Sequence, residues 1–303
     1  MLQHEDAPGG GVAAMTPSPP VIVRTVAGLR DQISAWRGKA DTIGLVPTMG
    51  SLHDGHLALV GASLAGCRRT VVTIFVNPAQ FGPTEDFETY PREEAADLAK
   101  LSALGAHLVF APDAPEMYAD GFATRVNVAG VGEGLCGAVR PHFFQGVATI
   151  VSKLLLQSLP DRAYFGEKDY QQLLVVKRLA RDLDIPVEIV GVPTVREADG
   201  LALSSRNAYL TADQRTVAPR LHQTMRDVAN GIREGRTPGA ALEQGLAALR
   251  DAGFDPIDYL EVRDRETLTP LSQGPAVVQR GRVFAAAYLG DTRLIDNIAI
   301  DPT

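Results

Sequence analysis

Four short segments of this 303-residue chain gather polar side chains where core packing does not ask for them. The first is Pro47-Thr48-Met49-Gly50-Ser51-Leu52-His53-Asp54-Gly55-His56. Its two glycines let the backbone approach a ligand, and free N–H groups at a helix start favour an anion. His53 and His56 are three residues apart, which puts them on one side of a helical turn. A neutral imidazole donates or accepts a hydrogen bond, and a charged one stabilises phosphate oxygens. A pair of capping histidines would show the same spacing. Metal binding is disfavoured, because no third ligand follows at a suitable interval.

The second segment, Val76-Asn77-Pro78-Ala79-Gln80-Phe81-Gly82, follows an apolar run. Gln80 offers both donor and acceptor to a hydroxyl or carboxylate, although an ordinary loop glutamine would look alike. The third is Gly166-Glu167-Lys168-Asp169-Tyr170-Gln171-Gln172. Gly166 permits close backbone approach, Lys168 is a point charge for phosphate, and Gln172 lies three residues beyond Asp169 on a similar side. A capping Asp169 with a solvated Lys168 is the plainer alternative. The fourth is Leu203-Ser204-Ser205-Arg206-Asn207. Two hydroxyls and a guanidinium suit a triphosphate or a departing pyrophosphate, and they also suit a surface turn. Three of the four segments have phosphate-binding character, and two stand at strand-to-helix junctions.

The elements that must hold these segments alternate. Thr42–Val46 reads as a strand, followed by a helix marked by Leu57, Val60 and Leu64. Thr70–Val76 is a nearly continuous apolar run, the pattern of a strand buried on both faces of a parallel sheet. Helix over Glu93–Leu104, strand over His107–Phe110, helix over Gly146–Leu159 and strand over Arg162–Phe165 come next. Helix over Tyr170–Leu183 and strand over Val187–Val192 close the series. This alternation predicts an α/β fold with a Rossmann-like doubly wound parallel sheet. After Pro193 two helices, over Ala212–Glu234 and Gly239–Ala252, precede strands at Ile257–Val262, Arg282–Tyr288 and Arg293–Ile300. That order predicts a second, smaller α+β domain. The expected division is a tail over 1–20, a main domain over 21–193 and a small C-terminal domain over 194–303, with the linker near Pro193–Gly200.

Composition narrows the function classes. Apolar residues make up 45% and charged residues 21%, as in a globular protein with a substantial core. The net charge of −7 opposes nucleic-acid binding, so any phosphate site needs a local cluster of cations. No stretch approaches the roughly 20 apolar residues of a membrane span. Cys67 and Cys136 lack metal or redox spacing, and a reducing cytoplasm is expected. Residues 1–20, with Gly9-Gly10-Gly11, Pro17, Pro19 and Pro20, carry no secretory signal and are expected to be disordered.

Taken together, PTMGSLHDGH, FVNPAQFG, FGEKDYQQL and LSSRN resemble the segments of the pantothenate synthetase family, in that family's order. The likeness extends from about Val21 to Ile300 and includes the runs DYLEVRD and TRLIDNIAI. The first segment alone points only to the wider class of His-x-Gly-His nucleotidyltransferases. The resemblance implies a Rossmann-like domain, a small C-terminal lid, a homodimer and a two-step reaction. Pantoate attacks the α-phosphate of ATP to give pantoyl adenylate and pyrophosphate, and the amine of β-alanine then displaces AMP. By the same resemblance Met49, Gly50, Ser51, Leu52, His53, Asp54, Gly55 and His56 line the ATP site. His53 and His56 stabilise phosphate charge, and His56 matches the family's proton donor. Gly166, Glu167, Lys168 and Asp169 bind nucleotide, with Lys168 on the phosphates and Asp169 near the ribose. Val195, Leu203, Ser204, Ser205 and Arg206 bring the small domain over ATP. Gln80 and Gln172 hold pantoate, and Gln80 borders the β-alanine site. Mg²⁺ accompanies the triphosphate. His53, His56, Lys168 and Arg206 are expected to carry most of the catalysis.

One segment departs from the family pattern Arg-Pro-x-His-Phe-x-Gly-Val. Here Arg140-Pro141-His142-Phe143-Phe144-Gln145-Gly146-Val147 moves the histidine by one position. Either His142 takes over in a rearranged loop, or its role is structural. Two other functions compete with the resemblance: a different small-acid or nucleotide adenylyltransferase, and a catalytically inactive ATP-binding regulator. The FVNPAQFG and EKDYQQL glutamines argue against the first, and the retained histidines, lysine and arginine argue against the second.

Overall fold

The computed structural model describes residues 18–301 apart from 84, 86 and 273–275. The expected disordered tail therefore lies, up to residue 17, outside the described residues. Six strands form one parallel sheet: β1 (Val21–Val23), β2 (Ile43–Thr48), β3 (Arg69–Ile74), β4 (Leu108–Phe110), β5 (Arg162–Gly166) and β6 (Glu188–Val192). Their spatial order is β1-β4-β3-β2-β5-β6, and every pairing is parallel. A second sheet joins β7 (Ile257–Asp264), β8 (Gly281–Leu289) and β9 (Thr292–Ala299) in antiparallel pairs. The α/β architecture expected from the alternation, with a smaller α+β part, is what the chain adopts.

Residue alternation explains why the parallel sheet is covered on both faces. Leu45 and Val71 enter one apolar cluster, while their neighbours Val46 and Val72 enter another. Successive side chains of a strand point to opposite faces, so a strand buried on both must be apolar throughout. One face packs against helices Val26–Arg37, Phe143–Ser158 and Tyr170–Asp182, the other against Asp54–Gly66 and Glu94–Leu104. Gly44 makes the second contact possible, since a Cβ there would stand 2.2 Å from Ser63 Oγ. Pro47 lies beyond the β5 pairing, where β2 keeps only β3 as a neighbour, the setting in which a residue without an N–H is tolerated. A third cluster joins helices Arg220–Arg233 and Pro238–Asp251 to the antiparallel sheet.

The strand order reverses around β2. From there the chain runs outward through β3 and β4 on one side and through β5 and β6 on the other. In open α/β sheets, ligands bind outside the carboxyl ends of the strands at such a reversal. The ends of β2, β3 and β5 lead directly into the first three polar segments.

Several boundaries differ from the sequence expectation. The helix expected over Ala212–Glu234 is two helices, Ala212–Val217 and Arg220–Arg233, with Pro219 between them. Proline lacks the N–H and its ring clashes with the preceding turn, so the helix has to restart. The strand expected over Thr70–Val76 ends at Ile74. The helix expected from Gly146 begins at Phe143, whose ring stacks edge-on with Phe144. Strand β1 and helix Val26–Arg37, capped by Thr25 Oγ1 accepting from Gly28 N–H at 3.1 Å, have no counterpart in the pattern analysis. No helix among the described residues is long and apolar enough to cross a membrane.

Candidate active site

A cavity of about 680 Å³ opens at the carboxyl ends of β2, β3 and β5 and is roofed by the 193–207 segment and by strands β8 and β9. All four polar segments reach it. Met49, His53, Gly55 and His56 line it from the first, Gln80 from the second, and Gly166, Lys168, Asp169 and Gln172 from the third. Val195 and Leu203 through Arg206 line it from above. Gly50, Ser51, Leu52, Asp54 and Glu167 do not line it.

The first segment differs from the sequence expectation in an instructive way. Two of its N–H groups already hold a carboxylate. Asp97, buried on helix Glu94–Leu104, accepts from Ser51 N–H at 2.8 Å and Leu52 N–H at 2.7 Å. Lys100, one turn along, donates to Leu52 C=O at 2.5 Å. The protein thus supplies its own anion to the turn, and the turn is locked rather than vacant. Gly50 is required by its backbone, at φ +83°, where a Cβ would also press on Asp97 and Ile74 at 3.1 and 3.2 Å. Gly55 is required by His53, whose ring would stand 2.8 Å from a Cβ there. The same Cβ position lies 3.8 Å from Leu203 Cβ, so the fourth segment closes directly onto the first.

The two histidines are both the caps and the cavity lining. His53 is the N-cap of helix Asp54–Gly66, its Nδ1 accepting from Gly55 N–H at 3.1 Å. His56 Nδ1 accepts in turn from His53 N–H at 3.3 Å, which completes a reciprocal capping box. A ring nitrogen that accepts carries no proton, so in each neutral ring the N–H is at Nε2. The rings lie 4.1 Å apart between centroids. Desolvation pushes His56 down to about 3, helped by His53, Lys168 and Lys100. Desolvation and Lys168 push His53 down to about 4, against a partial offset from Asp169 and Asp54. At neutral pH both rings are therefore uncharged Nε2–H donors. A neutral ring of this kind can give a phosphate oxygen a hydrogen bond.

The amides are fixed by a second network. Asn77 Nδ2 donates to Gln80 Oε1 at 3.0 Å, and Gln80 Nε2 donates to Met49 Sδ at 3.2 Å. Asn77 Oδ1 accepts from Tyr118 O–H at 2.7 Å, and desolvation pushes that phenol up to about 12. Asn77 and Tyr118 are orienting residues that the sequence analysis did not single out. Tyr118 had no local signal, because it stands beside a short helix remote in sequence. The adjacent glutamines Gln171 and Gln172 face different tasks. Buried Gln171 donates to Val131, Glu133 and Gly134 carbonyls and accepts from Cys136 N–H, stitching the 131–136 loop. Gln172 lines the cavity, and its amide has no hydrogen-bond partner among the described residues.

Lys168 points its ammonium to 3.9 Å from Asp169 Oδ1 in the cavity wall. Asp169 makes no side-chain capping bond, contrary to the plainer reading of that segment. A Cβ on Gly166 would meet nothing within 4 Å, so space remains beside this loop. Ser204 Oγ accepts from Arg206 N–H at 3.3 Å and shapes the fourth turn. The displaced histidine does not enter the cavity. His142 is exposed and sits against Gly82, where a Cβ would be 3.1 Å from its ring. Phe143 and Phe144 line the wall instead, and the Arg140 guanidinium lies 3.9 Å over the Phe143 ring while pairing with Glu85.

Among the described residues no group of three His, Cys, Asp or Glu side chains is arranged to hold a metal ion. Two uncharged imidazole donors, a lysine, an arginine and two amides around one cavity can bind a polyphosphate and a small polar acid together. Known proteins similar in sequence and fold agree. A profile of the pantoate-beta-alanine ligase family matches residues 21–299. The pantothenate synthetase of Paramagnetospirillum magneticum is 57% identical over 282 residues, covering 93% of this chain and 98% of its own. That of Caulobacter vibrioides is 54% identical over 93% of this chain and 99% of its own. The crystal structure of pantothenate synthetase from Thermus thermophilus superposes with a TM-score of 0.87 at 49% identity, covering 93% of this chain and all of that one. A pantoate-beta-alanine ligase from Francisella tularensis, in complex with beta-gamma ATP and β-alanine, gives 0.77 at 32% identity over 94% and 99%. Sequence over nearly the whole length and the superposition of the fold place the chain in the pantoate–β-alanine ligase family.

Proposed function

We propose that this cavity performs the family reaction: ATP-dependent joining of pantoate to β-alanine through a pantoyl-adenylate intermediate, with release of pyrophosphate and AMP. A carboxylate does not condense with an amine in water unaided. Adenylation gives it a leaving group, and the cavity is built for the charge that moves in that step. His53 and His56 donate Nε2–H bonds to phosphate oxygens, while Lys168 and Arg206 supply the positive charge. Preorganised donors of this kind contribute about 3–4 kcal/mol each to a transition state. Gln172, whose amide has no partner among the described residues, and Gln80, held by Asn77, grip pantoate through its hydroxyls and carboxylate. Asp169 takes the ribose, and the backbone around Gly166 and Val195 borders the nucleotide. Residues 194–303 act as a lid whose Leu203–Arg206 turn covers the phosphates. The observation that carries this reading is the convergence of all four segments on one cavity at the strand-order reversal.

ATP comes to this chain from the Francisella complex. Magnesium accompanies it, held chiefly by phosphate oxygens and water, as is usual for an ion without a dedicated protein cage. A homodimer belongs to the same proposal, with the exposed Leu156 and Leu159 as apolar surface for a partner to cover. So does a cytoplasmic location, where ATP is available and the two free cysteines stay reduced. The test is AMP and pantothenate formation from ATP, Mg²⁺ and pantoate, with and without β-alanine. Equal amounts of the two products are expected. Folded protein that binds ATP and turns nothing over would overturn the reading.

A further inference from the structure

Strand β9 carries two adjacent buried residues, Asp296 and Asn297, that reach in opposite directions. Asn297 Nδ2 donates both of its hydrogens across to the parallel-sheet part of the molecule, to Glu167 C=O at 2.9 Å and Lys168 C=O at 2.8 Å. Its Oδ1 accepts from Arg282 Nε at 2.6 Å, and since arginine only donates, the amide orientation is settled. Arg282 braces the same loop, lying 3.9 Å over the Tyr170 ring and 3.6 Å from Glu167. Asp296 turns the other way and takes Arg196 in a two-point pair, at 2.6 and 2.9 Å. Arg196 bridges Ala202 across a tight hairpin in which Leu203 N–H donates to Val195 C=O at 3.0 Å. That hairpin delivers the Ser204–Arg206 turn. Asp296 Oδ1 also accepts from Asn297 N–H at 2.7 Å, so the two side chains share one rigid junction.

We infer that Asp296 and Asn297 are positioning residues which set the spacing of Lys168 against the Ser204–Arg206 turn during adenylate formation. The inference rests on the reading of Lys168 and Arg206 as phosphate ligands. The two cations come from parts of the chain that share no strand, and this junction ties the Lys168 carbonyl and, through Arg196, the hairpin leading to Arg206 to a single backbone. Asn297 holds the carbonyl of Lys168 itself, so a shift of the amide moves the ammonium with it. A misplacement near 1 Å costs about 10²-fold in rate.

Asn297→Asp tests this, because the carboxylate keeps Arg282 and removes both donors; Asn297→Ala is the second variant should the first not fold. The expected result is a fall of about 10²-fold in kcat for pyrophosphate release, with KM for ATP changed by less than about threefold. In a Lys168→Ala background the same change should add less than about twofold, since both act through one ammonium. Amide hydrogen exchange should rise over residues 166–170 for Asn297→Asp and over 195–203 for Asp296→Asn. Effects that multiply in the double variant, or unchanged exchange over 166–170, would overturn the inference. Exchange reads the junction whatever the reaction is, and AMP formation by the unaltered protein reads the reaction alone, so the two failures are separable.

Discussion

The tautomer of His56 leads to a prediction in which two variants of one residue separate two tasks. Its Nδ1 is committed to the His53 N–H, which leaves Nε2 as the donor of a ring that lines the cavity. The amide of glutamine reaches about as far as Nε2, and that of asparagine about as far as Nδ1. His56→Gln thus keeps a donor toward phosphate, and its Oε1 still reaches the His53 N–H as Gln214 reaches the Thr211 N–H at 2.9 Å, while His56→Asn keeps the cap and loses the donor. A lost donor aimed at transition-state charge costs about 3–4 kcal/mol, or 10²–10³ in rate. A lost cap costs about 1 kcal/mol of stability. Adenylation, followed as first-turnover pyrophosphate release, should therefore be 10²–10³-fold slower in His56→Asn but within about tenfold of normal in His56→Gln. Stability should not follow the rate: the urea midpoint should stay nearly unchanged in both variants, since each keeps an acceptor for the His53 N–H, and fall in His56→Ala, which keeps none. With the free ring pushed down to about 3 by desolvation, His53, Lys168 and Lys100, kcat/KM between pH 6 and 8 should show no inflection from His56. Equal rate losses in both variants would refute the reasoning and restore proton transfer as the role of the ring.

Three further outcomes are expected. Stability should fall with acid: the folded value of His56, about 3, lies below the unfolded value near 6.5, so the unfolded chain binds more protons between them. The contribution is complete above about pH 6.5 and about 2 kcal/mol of it is gone at pH 5, a difference that urea unfolding of His56→Gln against the unaltered chain should lose. Gln172→Ala should raise KM for pantoate about tenfold or more with little change in melting temperature, whereas Gln171→Ala, which strands three carbonyls and an N–H in the 131–136 loop, should lower the melting temperature first. Asp97→Ala should cost about 3 kcal/mol or more of stability by orphaning two charge-assisted N–H bonds, and should slow adenylation by releasing the turn that carries His53 and His56, checked by denaturant unfolding and pyrophosphate release.

Local chemistry made much of this molecule legible without coordinates. Apolar runs of strand length between helical periodicities specify a parallel sheet covered on both faces, because only that arrangement buries Leu45 beside Val46 and Val71 beside Val72. Glycines, histidines, a lysine and an arginine in short segments mark where a phosphate would sit, since packing has no use for them. Boundaries suffered where one residue outweighed the periodicity, as at Pro219, or where an element was too short to show a period, as at β1.

Everything that depends on a partner distant in the chain was left to the tertiary structure. Nothing within PTMGSLHDGH says that two of its N–H groups are filled by Asp97, more than 40 residues away, or that its histidines are caps and neutral donors together. Nothing in FGEKDYQQL distinguishes the amide that staples a loop from the one that meets the cavity. Nor does the run IDN show that one strand holds Lys168 with one residue and Arg196 with the one before it. Sequence determines which groups are present and how they repeat along the chain, because propensity and burial act locally. Hydrogen-bond pairing and desolvation act through space, and only the folded arrangement decides which proton, charge and orientation each group keeps.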